Sequence, residues 1–142
     1  METTHGTAVS LCGAGILLRG ASGSGKSDLA LRLIDGGAAL IADDRVALSR
    51  DGADIIAAAP DTVAGKLEVR GLGIVRLPAA GPVPLRLVAD LVAPGDVERL
   101  PKPGETVLLG VALPVLSLAP FEASAPAKLR LALRLTPQEI ER

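Results

Sequence analysis

Apolar and polar positions along this chain switch between a two-residue and a three-to-four-residue spacing, and the switches divide it into elements. Residues 7–11 are a β-branched and apolar run, Gly13-Ala14-Gly15 supplies a turn, and residues 16–19 are a second short apolar run, which together predict a β-hairpin. A Gly/Ser-rich stretch, residues 20–27, follows. Leu29/Leu33 and Ala30/Ile34 then recur at i, i+4, which predicts an amphipathic helix closed by Gly36-Gly37 as C-cap candidates. Residues 38–42 are apolar on both faces and end abruptly in Asp43-Asp44, the pattern of a buried strand delivering carboxylates at its C-terminal end. Strand, glycine-rich loop, helix and strand make one βαβ unit.

Beyond it, residues 46–49 and 54–58 flank Arg50-Asp51-Gly52, where the Asp-Gly pair favours a tight reversal and a second hairpin. Residues 66–77 alternate short apolar pieces with Gly65, Gly71 and Gly73, residues 78–84 read as a loop, and residues 85–92 as another strand. Residues 107–118 predict one or two strands around Pro114. Ser124 is a candidate N-cap for a helix running through Ala132 to Leu135. The alternation in residues 129–135 also fits a strand, but Leu, Arg and Ala are strong helix formers and helix is preferred. Thr136-Pro137-Gln138-Glu139 resembles a capping box with Pro at N1. The pattern as a whole predicts an α/β fold with a mixed β-sheet, in one domain over residues 1–142.

Composition narrows the function. The 142 residues are 49% apolar with a mean hydropathy of +0.42, which excludes a disordered polar tail. Lys+Arg of 15 against Asp+Glu of 16 leaves a net charge of −1 with no basic block, so sequence-general nucleic-acid binding is not expected. Phe121 is the only aromatic residue, so no stacking platforms for bases and no aromatic belt for a membrane are expected. The single cysteine, Cys12, forms no internal disulfide and reads as a small buried hydrophobe. The first ten residues lack a basic n-region followed by an apolar one, and the most apolar stretch, residues 107–119, is broken by Gly110 and Pro114. Neither export nor a membrane span is expected, and the cytoplasm is the expected compartment.

The chemistry concentrates in Gly20-Ala21-Ser22-Gly23-Ser24-Gly25-Lys26-Ser27, a full Walker A match. Average residue usage would produce the string by chance in roughly one chain of this length in a few hundred, so its context, strand before and helix after, matters as much as the string. Glycines let the loop curl until successive N–H groups face phosphates, Lys26 places a positive charge at the β- and γ-phosphates, and Ser27 offers a hydroxyl to Mg²⁺. Asp43 and Asp44 close an apolar strand, the usual place for a carboxylate that holds Mg²⁺ directly or through water, although carboxylates at strand ends are also common in plain turns. Strand alternation would turn one of the two to the phosphates and the other away. Arg70, Arg76 and Arg99 are candidates to neutralise charge on a transferring phosphoryl group, though most surface arginines do nothing of the kind. His5, the only histidine, and Glu68, an outward position on a short strand, have bland readings of their own.

Several of these pieces together resemble one family, the bacterial HPr kinase/phosphorylases, in particular their C-terminal catalytic domain. The resemblance spans roughly residues 5–113 and rests on His5-Gly6, on Gly-Ala-Ser-Gly-Ser-Gly-Lys-Ser-Asp (20–28), on Leu-Ile-Ala-Asp-Asp (40–44), on Leu-Glu-Val-Arg-Gly-Leu-Gly-Ile (67–74) and on Glu-Arg-Leu (98–100). The 67–74 segment is the specific part, since a Walker A alone leaves hundreds of families open. The resemblance implies a Walker A nucleotide-binding domain of the HPr kinase / phosphoenolpyruvate carboxykinase-like type. It implies Mg-ATP-dependent phosphorylation of a serine on the phosphocarrier HPr or a paralogue, in phosphotransferase-system regulation, and phosphate-dependent dephosphorylation as its reverse. Family roles then fall on Lys26 at the phosphates, Ser27 and Glu68 on Mg²⁺, Asp44 as base toward the serine hydroxyl, and His5 and Arg99 completing the site; Gly71 and Gly73 would let their loop approach the substrate closely. The family's catalytic domains assemble as hexamers, which implies a homo-oligomer here.

Two departures from the family pattern stand out. Nothing corresponds to the N-terminal domain of the long form, so the chain resembles a short form. The family's basic Pro-Val-Arg-Pro-Gly-Arg loop is replaced after Pro114 by residues 115–124, which hold no arginine, and the reverse reaction or its control by phosphate depends on that charge. A small-molecule kinase of the same loop type would need a lid, for which no long Arg-rich insertion is present. A non-catalytic module sensing ATP or phosphate would have no use for Asp44 and Glu68 beside Lys26.

Overall fold

The computed structural model describes residues 2–135 and 137–141. In chain order its elements are β1 (Glu2–His5), β2 (Thr7–Leu11), β3 (Ala14–Arg19), α1 (Lys26–Asp35), β4 (Ala39–Ala42), β5 (Arg45–Asp51), β6 (Asp54–Ala58), β7 (Lys66–Val69), β8 (Gly73–Arg76), β9 (Val83–Leu91), β10 (Gly104–Leu108), β11 (Val111–Leu118) and α2 (Ala125–Arg134). The main sheet runs β1-β5-β6-β9-β3-β2-β4, with β11 added to β9 and β10 to β11, while β7 and β8 form a separate hairpin. It is mixed: β3 lies parallel to β9 and β9 to β11, whereas β2 is antiparallel to both β3 and β4. The strand, loop, helix and strand of the sequence reading are present, but β3 and β4 are not adjacent. The hairpin partner β2 stands between them, because it carries its own apolar residues on both faces and is buried along most of its length.

β3 explains the sheet's two-sided burial. Ile16, Leu17 and Leu18 are consecutive and fully buried. Successive strand side chains point to opposite faces, so Ile16 and Leu18 pack with Leu29 and Leu33 of α1 and Leu129 of α2, while Leu17 packs with Ile41, Leu48, Ile55 and Val88. The helices therefore cover one face, and the curled β5–β6 part of the sheet covers the other. Each such side chain contributes roughly 1.5–3 kcal/mol. Arg130 on α2 donates to the Leu33 carbonyl (3.2 Å), tying α2 to the C-terminal end of α1, where Gly36 and Gly37 close the helix as expected.

Three local readings are corrected, at the two hairpin turns and at the break between the last two strands. The first hairpin turns at Cys12-Gly13, with Leu11 opposite Ala14, so Cys12 is exposed at a tip rather than buried. The second turns at Gly52-Ala53, one residue later than the Asp-Gly pair, since Asp51 pairs with Asp54. Residues 104–118 are two strands that break at Leu109-Gly110, and Pro114 lies inside β11 opposite Glu105. A proline is tolerated there because the ladder from β11 to β9 begins only at Val115. Ser124 stands at the N-cap of α2 without a side-chain capping bond. The capping box depended on Thr136, which lies outside the described residues; Pro137–Glu139 form a 3-10 turn. Among the described residues no helix is long and apolar enough to cross a membrane.

Candidate active site

The parallel strands β3, β9 and β11 end on the same side of the sheet, and β4, antiparallel to β2, ends there too, which is where crevices form in open α/β sheets. Arg19 and Asp90, register partners at the ends of β3 and β9, fasten this edge with two bonds, Nε to Oδ1 at 2.7 Å and Nη2 to Oδ2 at 3.1 Å. The Walker A segment leaves the sheet at this point. It curls tightly: the Ser24 N–H donates to the Ala21 carbonyl (3.0 Å), and a Cβ on Gly20 would lie 2.5 Å from Ser24 Oγ. Gly25, at φ 103°, occupies the N-cap of α1 in a conformation that only glycine adopts without strain. Its carbonyl accepts the first helical bond, from the Leu29 N–H (2.9 Å). The first-turn N–H groups of α1 have no acceptor within the helix, and the helix dipole adds positive potential there.

Lys26 is buried, 7% exposed, and its Nζ donates to the carbonyls of Gly20 (2.8 Å) and Ala21 (2.9 Å), holding the loop closed around itself. Asp43 is equally buried, at 8%, and accepts three bonds: from Ser27 Oγ (2.8 Å) and Thr7 Oγ1 (2.9 Å) at one oxygen, and from the Glu68 N–H (3.2 Å) at the other. One carboxylate thus joins β2, α1, β4 and the β7–β8 hairpin. Asp44 turns the other way. With φ 69° it leaves the strand direction, its carbonyl accepts from the Gly6 N–H (3.0 Å), and its carboxylate, 72% exposed, lies 3.4 Å from His5 Nε2. The β1–β5 ladder sets that contact by placing His5 opposite Arg45.

A cavity of about 530 Å³ collects these groups, lined by His5, Thr7, Ser22, Gly23, Gly25, Lys26, Ser27, Asp28, Leu31, Asp43, Asp44, Glu68, Val69, Arg70 and Phe121. Glu68 does sit outward on β7, where Leu67 and Val69 point in, and its outward side is the side that faces the cavity. Of the three candidate arginines only Arg70 lines it. Arg76 pairs with Lys66 at the far end of the β7–β8 hairpin, and Arg99 lies exposed in the segment after β9, outside the cavity. Gly71 and Gly73 have positive φ, 94° and 114°, with no protein atom within 4 Å of where a Cβ would stand, so the turn itself needs them for its conformation. Phe121 and the triple role of Asp43 were not anticipated. The signal for Phe121 was topological: β11 runs parallel to β9, so the segment after it arrives beside the Walker A loop.

The donor set fits Mg²⁺ with a nucleoside triphosphate. Ser27, Asp43 and Glu68 offer hard oxygens, and Ser24 Oγ is buried without a partner inside the loop. No group of three or more His, Cys, Asp or Glu that could hold a metal occurs among the described residues.

Residues 1–80 match the family model described as HPr Serine kinase C-terminal domain. The HPr kinase/phosphorylase of Chlorobium limicola is 36% identical over 130 residues, covering 82% of this chain and 39% of its own length. That of Clostridium tetani is 47% identical over 75 residues, covering 53% of this chain and 25% of its own. The chain thus spans about two fifths or less of these curated relatives. Among solved structures, the Hpr(Ser) kinase/phosphatase from Coxiella burnetii superposes with a TM-score of 0.83 at 24% identity over 94% of this chain and 95% of that one, a likeness of fold.

Proposed function

Because the chain belongs to the HPr serine kinase C-terminal domain family, we propose that it is a Mg-ATP-dependent protein serine kinase acting on the phosphocarrier HPr or a paralogue, as a single catalytic domain in the cytoplasm. Phosphate-dependent dephosphorylation of the same serine is the reverse direction of the proposal. The observation that carries it is one cavity lined both by Lys26 and Ser27 and by an exposed carboxylate, Asp44, beside His5.

Bound Mg-ATP would supply the transferable phosphoryl group and the positive charge at its oxygens. Lys26 and the N–H groups at the start of α1 hold the phosphates, and Ser27 with Glu68 would hold the ion. Asp43 fixes the Ser27 hydroxyl in place. A serine hydroxyl is a poor nucleophile at neutral pH, and Asp44 accepts its proton as the new P–O bond forms and the bond between the γ-phosphorus and the β-phosphate oxygen breaks, with ADP leaving. His5 orients that carboxylate. In the reverse direction inorganic phosphate attacks the phosphoserine phosphorus, the bond from phosphorus to the serine oxygen breaks, pyrophosphate leaves, and Asp44 returns the proton to the serine oxygen. Arg70 supports charge on the transferring group from within the cavity, and Arg99, which the family resemblance assigns to the site, would have to reach it from the loop after β9.

Intact-mass spectrometry of a purified HPr-type phosphocarrier incubated with this protein and Mg-ATP tests the reading. One phosphate on serine with the wild type, and none with Asp44→Asn or Lys26→Ala, is the expected result, and inorganic phosphate added afterwards tests the reverse direction. Nucleotide binding without any added mass would overturn HPr as the substrate and leave a binding module or a kinase with a different acceptor.

A further inference from the structure

We propose that Phe121 is the platform on which the nucleobase of the bound nucleotide stacks, opposite the Asp44 end of the same cavity. This rests on the nucleotide-binding reading above and adds a binding residue to it.

Phe121 is the only aromatic side chain in a chain that is 49% apolar, yet it is 69% exposed. Its position is not loose. Ala119 is 2% exposed and Pro120 is buried, so the turn is seated in the protein while the ring is left outside. Arg32 of α1 donates to the carbonyls on both sides of it, to Pro120 and to Glu122 (3.3 Å), and Glu122 is itself paired with Lys128 (2.9 Å). The segment is therefore clamped to the same helix whose N-terminus faces the phosphates. An exposed phenyl ring on a fixed backbone forgoes burial energy within its own chain and presents a flat apolar face.

Its location matches a base. A Cβ on Gly25 would lie 2.8 Å from Phe121 Cζ, so the ring sits over the last glycine of the Walker A loop and lines the cavity together with Leu31. His5 and Asp44 border, besides this cavity, a second depression with Thr3, Thr4 and Arg45 whose lining does not include Phe121. A nucleoside triphosphate whose phosphates lie along the loop and whose terminal group faces Asp44 leaves its base toward Phe121. Stacking on a π-face tolerates any base, so the class of ligand is a nucleoside triphosphate held by the ring of its base, without edge hydrogen bonds that choose among bases.

The chain has no tryptophan or tyrosine, so Phe121→Trp introduces a single indole fluorophore at this spot. With Mg²⁺ present, ATP should quench its emission and inorganic tripolyphosphate should not. In calorimetry, Phe121→Ala should weaken ATP binding about 10-fold while tripolyphosphate binding stays within about 2-fold of wild type. An equal loss for both ligands would overturn the proposal by showing that the ring only braces the loop. Unchanged ATP affinity in Phe121→Ala, or an indole that responds to both ligands alike, would also overturn it and leave the nucleotide reading standing. A wild type that binds neither ligand removes both.

Discussion

Asp43 and Asp44 are adjacent and chemically identical, and their backbone conformations give them opposite situations. Asp43 continues from β4 and is enclosed by two hydroxyls and a backbone N–H, whereas Asp44, at φ 69°, turns its carboxylate out beside His5. Alternation along a strand anticipates that they diverge, but not which one faces Ser27. Replacing Asp43 by Asn puts an amide donor where three donors already converge. The expected cost is about 1–3 kcal/mol, because a buried donor left without an acceptor carries its full desolvation penalty. Asp44→Asn should stay within about 0.5 kcal/mol of wild type, as exposed substitutions do. Urea unfolding of the two variants checks this, and equal stability would contradict the division of roles. Cys12 shows the same limit: its composition says buried, and its turn makes it exposed.

At the scale of elements, hairpins β2–β3 and β10–β11 share one device. Each closes with a two-residue turn in which both residues have positive φ, 50° and 83° at Cys12-Gly13, and 48° and 80° at Leu109-Gly110. This is the type I′ geometry, whose twist matches that of the strands and whose preferred first residue is Asn. Cys12→Asn should therefore stabilise the protein by roughly 0.5 kcal/mol, read as a rise of about 1–2 °C in Tm by calorimetry. A fall in Tm would mean that the thiol contributes packing that its exposure does not reveal. The β2–β3 hairpin was legible as two apolar runs and the β10–β11 pair only as one or two strands around Pro114, and neither turn was legible. The glycine-rich clusters offered several places to reverse, and register was settled by which residues had to face each core.

For the whole molecule, apolar surface remains after both cores are filled. Leu72, Ile74, Leu100 and Val107 are all more than half exposed, the first two on the β7–β8 hairpin beside the cavity. The hexamer implied by the family resemblance would give such residues a partner, and we propose that this chain assembles in that way. Sedimentation velocity at micromolar concentration should return a mass of about six times the 14.4 kDa chain. A monomer under those conditions would overturn the proposal.

Local order and chemistry were decided by the sequence itself. The Walker A string before the 3.6-residue period of α1, the Asp pair closing β4 and the apolar runs of the strands each depend on neighbours within a few residues, where backbone sterics and periodicity act. Only the tertiary structure decided that β2 stands between β3 and β4, that Asp43 gathers Thr7, Ser27 and Glu68, and that Phe121 and Arg70 reach the cavity while Arg99 does not. Those outcomes join residues far apart in the chain, and they follow from how two core faces close around one curled sheet, which no local pattern encodes.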